Sequence, residues 1–110
     1  MPTQKIKIMI DFVKKMFGNS TDYEALIKAG AIVLDVRSPA EFSSGHNKGA
    51  KNIPLDSIQN NITAIKNWNK PVITVCRSGA RSSMAKSILE KAGVEAYNGG
   101  SWNSMSRITG

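Results

Sequence analysis

Short apolar runs and apolar residues at helical spacing take turns along this chain. Ile6, Met9, Ile10, Val13, Met16 and Phe17 fall on one helical face and Gly18-Asn19 supplies a stop, which predicts an amphipathic helix over 4–17. Thr21-x-x-Glu24 has capping-box spacing and opens a second helix that ends at Gly30. Ala31 to Val36 is an apolar run that reads as a buried strand. In Ser38-Pro39-Ala40-Glu41 a capping serine precedes a proline at the first helical position and a glutamate three residues after the cap, so another helix starts there. Gly45 and Gly49 break the chain, and Ala50 to Ile53 makes a short strand before Pro54. Ile58, Ile62 and Ile65 give a helical stripe, closed by the turn Asn67-Trp68-Asn69-Lys70-Pro71. Val72-Ile73-Thr74-Val75 reads as an interior strand, and Met84, Ala85, Ile88, Leu89 and Ala92 place a helix over Ser82 to Ala92. Gly93 ends that helix, and Val94 to Tyr97 forms a last strand leading into Asn98-Gly99-Gly100.

Alternation of this kind predicts an α/β fold: a central parallel sheet flanked by helices on both faces, right-handed crossovers, and ligands beyond the carboxyl ends of the strands. With 110 residues, 41% of them hydrophobic, the chain has material for one domain with a core that needs neither disulfides nor a structural metal. The expected division is an extra N-terminal amphipathic helix over 1–19 and the α/β domain over 20–110. That helix is expected to dock on the domain; Lys5, Lys7, Lys14 and Lys15 along its polar side would also suit a membrane surface or a dimer contact.

The chemistry gathers around the single cysteine, Cys76, which stands where a buried strand gives way to a helix. Backbone N–H groups from Arg77, Ser78, Gly79, Ala80, Arg81 and Ser82 can converge on its sulfur, the helix N-terminus adds partial positive charge, and Arg77 and Arg81 add full charges. Each lowers a thiol pKa, so Cys76 is expected to be a nucleophile at neutral pH. A buried structural cysteine would instead sit inside an element among apolar neighbours. Four residues, Arg77 to Ala80, separate Cys76 from Arg81, one fewer than in the Cys-to-Arg loop of cysteine phosphatases. The tighter ring suits a single sulfur atom carried on Cys76 as a persulfide.

Cys76-x-x-Gly79-x-Arg81-Ser82 resembles the active-site loop of single-domain rhodanese-type sulfurtransferases. Upstream, Asp35-Val36-Arg37, Glu41-Phe42, Gly45-His46, Gly49-Ala50 and Asn52-Ile53-Pro54 resemble the signature of the same family in order and spacing, with Asn47 where that family usually has isoleucine. The resemblance covers roughly Ile32 to Trp102, and Gly99-Gly100 resembles the glycine pair after the family's last strand. It implies sulfur transfer from thiosulfate or a persulfide donor to a thiol, cyanide or a sulfur-carrier protein, with Cys76 as nucleophile and Arg77 to Ser82 as the substrate-binding loop. No cofactor is implied. Arg77 is the first choice for steering donor oxygens, and Arg81 for bracing the loop. The rival readings are a non-catalytic rhodanese-like sulfur carrier, a non-catalytic binding module, which usually lacks the cysteine that this chain retains, and a phosphatase or arsenate reductase, which would need the longer loop or, for the reductase, a second redox cysteine.

Other polar residues read as structural. Arg37 and Glu41, four apart across a helix start, are expected to pair, with Asp35 accepting backbone N–H bonds. His46 is expected to pack and hydrogen-bond rather than act as a base, Ser78, Ser82 and Ser83 to cap or donate, and Trp102 to fill the core or border the active-site mouth. One cysteine and one histidine, thirty residues apart, fall short of a zinc ligand set. The net charge of +7 comes from scattered residues rather than a basic stripe with interleaved aromatics, so no nucleic-acid partner is expected, and the charge serves solubility and the steering of small anions. The longest apolar run before Gly18, Ile8-Met9-Ile10, is too short for a membrane span or a signal-peptide core. A thiol that must stay reduced places the protein in the cytoplasm.

Overall fold

Side chains alternate across a strand, so an apolar run buried on both faces needs a helical layer on each side. The computed structural model describes residues 21–110; the helix expected over 4–17 and the boundary expected after residue 19 lie outside the described residues. Along the chain come α1 (Tyr23–Lys28), β1 (Ile32–Asp35), α2 (Pro39–Ser43), β2 (Lys51–Asn52), two 3-10 turns (Leu55–Ser57 and Gln59–Asn61), α3 (Ile62–Asn67), β3 (Val72–Cys76), α4 (Ala80–Lys91), β4 (Ala96–Ser101) and α5 (Trp102–Thr109). The four strands form one parallel sheet in the order β2-β1-β3-β4. Leu34, Val36, Val72 and Cys76 pack on one face with Ile58, Ile65, Ala85 and Leu89, while Val33, Ile73 and Val75 pack on the other with Leu26, Tyr97 and Met105. No helix among the described residues is long and apolar enough to cross a membrane.

Several boundaries differ from expectation, each for a local reason. The cap of α1 is Asp22 rather than Thr21, because the Asp22 carboxylate accepts from Ala25 N–H at 2.9 Å. The Ile58 stripe is split: Ile58 is fully buried between the two 3-10 turns, and the α-helix begins only at Ile62. The strand around Ala50 to Ile53 shortens to Lys51–Asn52. The cap at Ser38 is as expected, with the Ser38 and Glu41 side chains in a reciprocal capping box.

The largest departure is at the last strand, which runs over Ala96–Ser101 rather than Val94 to Tyr97 and passes straight through both glycines. Thr74 is opposite Asn98 but Val75 is opposite Gly100, so Gly99 is the extra residue of a β-bulge. There is no room for a side chain at this point. A Cβ on Gly99 would lie 2.7 Å from Ile73 Cγ2, 2.7 Å from Met105 Cε and 3.0 Å from Val75 Cγ1. Immediately after the strand, Ser101 caps α5 by accepting from Asn103 N–H, and Met105 buries that helix against the sheet. This helix has no counterpart in the expected elements.

Gly99→Ala is therefore expected to destabilise the domain by about 1–3 kcal/mol, the usual range for overpacking. A thermal melt of the variant against wild type reads this; an unchanged Tm would show that Ile73 and Met105 give way freely.

Candidate active site

The sheet order makes the site. Chain order reverses between β1 and β3: β1 connects outward to β2 on one side and β3 to β4 on the other. A crevice opens at such a reversal, beyond the carboxyl ends of the two central strands. Asp35 pairs with Val75 in register, and Val36 N–H donates to the Val75 carbonyl at 3.0 Å, so the segments after β1 and β3 leave the sheet side by side.

Cys76 is the last residue of β3 and is 1% exposed. The helix expected from Ser82 starts at Ala80, leaving Arg77, Ser78 and Gly79 as the connection. Gly79 caps the helix in the left-handed region at φ 105°, a conformation that glycine adopts without strain. This turns the Gly79 N–H onto Cys76 Sγ at 3.0 Å. The Thr74 hydroxyl lies 2.8 Å from the Ser82 carbonyl and 3.2 Å from the Tyr97 carbonyl, joining the first turn of α4 to β4.

Ser82 Oγ stands 3.4 Å from Cys76 Sγ, 3.1 Å from the Gly79 carbonyl and 2.6 Å from Asn98 Oδ1. Burial by itself raises the Cys76 thiol pKa. The Ser82 hydroxyl and the backbone N–H groups of Ser82, Gly79 and Ser78 outweigh it, and the thiol lies below its ordinary value. The leading causes of the lowering are thus hydrogen bonds, not the arginine charges expected to share in it.

The expected Arg37–Glu41 pair does not form. Arg37 lies inward, donating to both carboxylate oxygens of Asp35, with its shortest contact 2.7 Å, and to the Gly45 carbonyl at 2.7 Å. Its guanidinium sits 4.6 Å from the centroid of the Trp102 ring, which places Trp102 against this buried pair. Asp35 also accepts the Arg37 backbone N–H, as expected. Glu41 instead takes Arg81: Nη1 donates to Oε1 at 2.7 Å and Nη2 to Oε2 at 3.0 Å. The Arg81 guanidinium, with help from the Ser38 backbone N–H, holds the Glu41 carboxyl down at about 2, and Glu41 in turn raises the Arg81 pKa.

The remaining loop residues divide by exposure. Arg77, Ser78 and Ala80 face solvent, and Arg77 has no salt-bridge partner among the described residues. His46 is exposed, stacks on Phe42 with ring centroids 3.7 Å apart, and contacts the Phe42 carbonyl through Nδ1 at 2.7 Å. Asn47 is fully buried; its Nδ2 donates to the Trp102 carbonyl at 2.9 Å, while Oδ1 has no partner among the described residues. Asn98 was not among the expected site residues. The available signal was its position just after the expected strand Val94 to Tyr97, since residues beyond the carboxyl ends of parallel strands meet ligands.

The Arg81–Glu41 bridge spans the two segments that leave β1 and β3, and its pH dependence has a definite sign. The Glu41 carboxyl is lowered from its ordinary 4.5 to about 2 in the folded protein, so the contribution of the bridge is full above about pH 4.5 and is lost as pH falls through about 2. The difference in urea midpoint between wild type and Glu41→Gln should be present at neutral pH and shrink as pH falls through about 2. It should also shrink with added salt, since both side chains are about a third exposed. A difference independent of pH would place the effect of Glu41 in the helix cap alone.

Comparison with known proteins places this geometry in a family. The family model described as rhodanese-like domain matches residues 19–105. The uncharacterized protein YqhL of Bacillus subtilis (strain 168) is 42% identical over 69 residues, covering 62% of this chain and 54% of that protein. The thiosulfate sulfurtransferase PspE of Escherichia coli (strain K12) is 39% identical over 61 residues, covering 54% of this chain and 59% of its own. The chain thus spans little more than half the length of these two relatives. A solved structure described as a rhodanese with anions, from E. coli, superposes with a TM-score of 0.61 at 34% identity, covering 67% of this chain and 89% of that one. With its loop after β3, its parallel sheet and a match over most of its length, this chain belongs to the rhodanese-like domain family.

Proposed function

We propose that this protein is a sulfurtransferase that moves sulfane sulfur from thiosulfate or a persulfide donor to a thiol or cyanide acceptor through a persulfide on Cys76. The observation that carries the reading is the Cys76 sulfur at the end of β3, with the Gly79 N–H at 3.0 Å and the Ser82 hydroxyl at 3.4 Å. In this reading the N–H groups of the loop turn toward the second sulfur once it is bonded to Cys76 Sγ. The resemblance to the thiosulfate sulfurtransferase PspE supports the same reaction.

In the first step the Cys76 thiolate attacks the outer sulfur of thiosulfate. The new bond is Cys76 Sγ–S, the S–S bond of thiosulfate breaks, and sulfite leaves with its electron pair. In the second step a thiolate or cyanide attacks the outer sulfur of the persulfide, that S–S bond breaks, and Cys76 is again a thiolate. The steps balance without an outside oxidant. Backbone N–H groups of Arg77, Ser78, Gly79, Ala80, Arg81 and Ser82 form the cradle in this reading. Arg77, exposed and without a salt-bridge partner among the described residues, steers the sulfonate end of the donor. Arg81 is engaged by Glu41 and braces the loop. Residues 20–110 form the working domain with 1–19 as an extension, and a thiol that must stay reduced fits the cytoplasm. The acceptor there is a small thiol or a sulfur-carrier protein.

Incubation with thiosulfate should add the mass of one sulfur atom to the wild-type protein and nothing to Cys76→Ser, and thiocyanate formation should fall to background in that variant. Wild-type transfer by Cys76→Ser would sink the persulfide mechanism; a wild-type chain that takes up no sulfur would favour a binding module. Arg77→Ala should raise KM for thiosulfate severalfold with little change in kcat, as expected when ground-state and transition-state binding are lost together.

A further inference from the structure

The Ser82 hydroxyl has one proton and three polar neighbours: Asn98 Oδ1 at 2.6 Å, the Gly79 carbonyl at 3.1 Å and Cys76 Sγ at 3.4 Å. The two oxygens only accept. Sulfur changes role with its charge. As a thiol it donates to Ser82 Oγ, and the serine proton then goes to Asn98. As a thiolate it accepts, and the serine proton either turns toward sulfur or leaves it to the backbone donors.

Asn98 is the competitor in that choice, and it is held on both sides. Its Oδ1 accepts from the Gly100 N–H at 2.9 Å, and its Nδ2 donates to the Gly79 carbonyl at 3.2 Å. The bulge at Gly99 sets this arrangement by bringing Gly100 opposite Val75. When the serine proton leaves Asn98, Oδ1 still has Gly100 and the Gly79 carbonyl still has Nδ2, so neither oxygen is orphaned. The hydroxyl is therefore free to turn.

We propose that Asn98 is a positioning residue for Cys76: its side-chain oxygen competes for the Ser82 proton and, through Ser82, sets how strongly a charged sulfur on Cys76 is held. The proposal deepens the sulfurtransferase reading and rests on Cys76 as its nucleophile. The charged groups around Cys76 are Arg77 in the loop, Arg81 of α4, Asp35 and Arg37 at the end of β1, and Glu41 of α2; Asp56, on the first 3-10 turn, is exposed. Arg81 lies within Coulombic reach of both Cys76 and Asp35. Strand β4 carries no charge, so on that side control over the sulfur passes through Asn98 and Ser82.

The test is the pH dependence of Cys76 alkylation by iodoacetamide in the full chain, in Asn98→Ala, Asn98→Asp, Ser82→Ala and the two double variants. The wild-type midpoint should lie below the free-thiol value of about 8.5. Asn98→Ala removes the competing acceptor and should lower the midpoint further. Asn98→Asp adds a stronger acceptor and a like charge, and should raise it by about one pH unit. With Ser82 replaced by Ala, the Asn98→Ala shift should vanish and the Asn98→Asp shift should shrink to the part due to charge alone. A merely structural role would move melting temperatures but not these midpoints. An Asn98→Ala midpoint that stays put or rises, or shifts that persist without Ser82, would overturn the proposal; if Asn98→Asp fails to fold, Asn98→Ala decides alone. Sulfur uptake from thiosulfate by the same wild-type sample reports separately: no uptake with the expected midpoints would end the sulfurtransferase reading and leave the role of Asn98 standing.

Discussion

Desolvation favours the neutral form of a buried thiol, and at Cys76 hydrogen-bond donors aimed at the sulfur outweigh it. Cys76 is 1% exposed, and much of the surrounding structure follows from that constraint. Gly79 takes the left-handed conformation that points its N–H at the sulfur. Ser82 is fully buried on the first turn of α4, close enough to share its hydroxyl. The β4 bulge at Gly99 brings Gly100 beside the loop, where a Cβ on Gly79 would lie 3.5 Å from Gly100 Cα. The tight packing around Gly99 and the donors around Cys76 are two parts of one arrangement.

A second layer holds the crevice in shape. Arg37 is 3% exposed, pairs with the fully buried Asp35 and lies over Trp102, which secures the segment after β1 from below. Bidentate bonding to Asp35 and a further bond to the Gly45 carbonyl offset part of the cost of burying this guanidinium. Above it, the half-exposed Arg81–Glu41 bridge ties the segment after β1 to the helix after β3. The two pairs differ in kind: removing a partner from the inner one strands a buried charge, while the outer one responds to salt and acid. Arg77, in the connection between β3 and α4, stays exposed outside both pairs.

The α/β class, the two-faced parallel sheet, the Ser38–Glu41 capping box and Cys76 at a strand end were all legible in the sequence, because each depends on neighbours within a few residues: apolar periodicity, a cap and its third residue, a glycine after an apolar run. The choice of partners was not. Arg37 and Glu41 are at helical pairing distance, yet each found a different partner: Asp35, two residues back at the end of β1, and Arg81, forty residues away. Asn98 and Ser82 meet only because β4 lies beside β3 and carries one extra residue, and Gly99-Gly100 read as the end of a strand when it is the middle of one. Sequence determines such local conformations through short-range sterics and hydrogen bonds. Which residue competes for the Ser82 hydroxyl beside the sulfur is decided by strand order, by register and by the bulge, since these bring together residues that nothing in the linear chain connects.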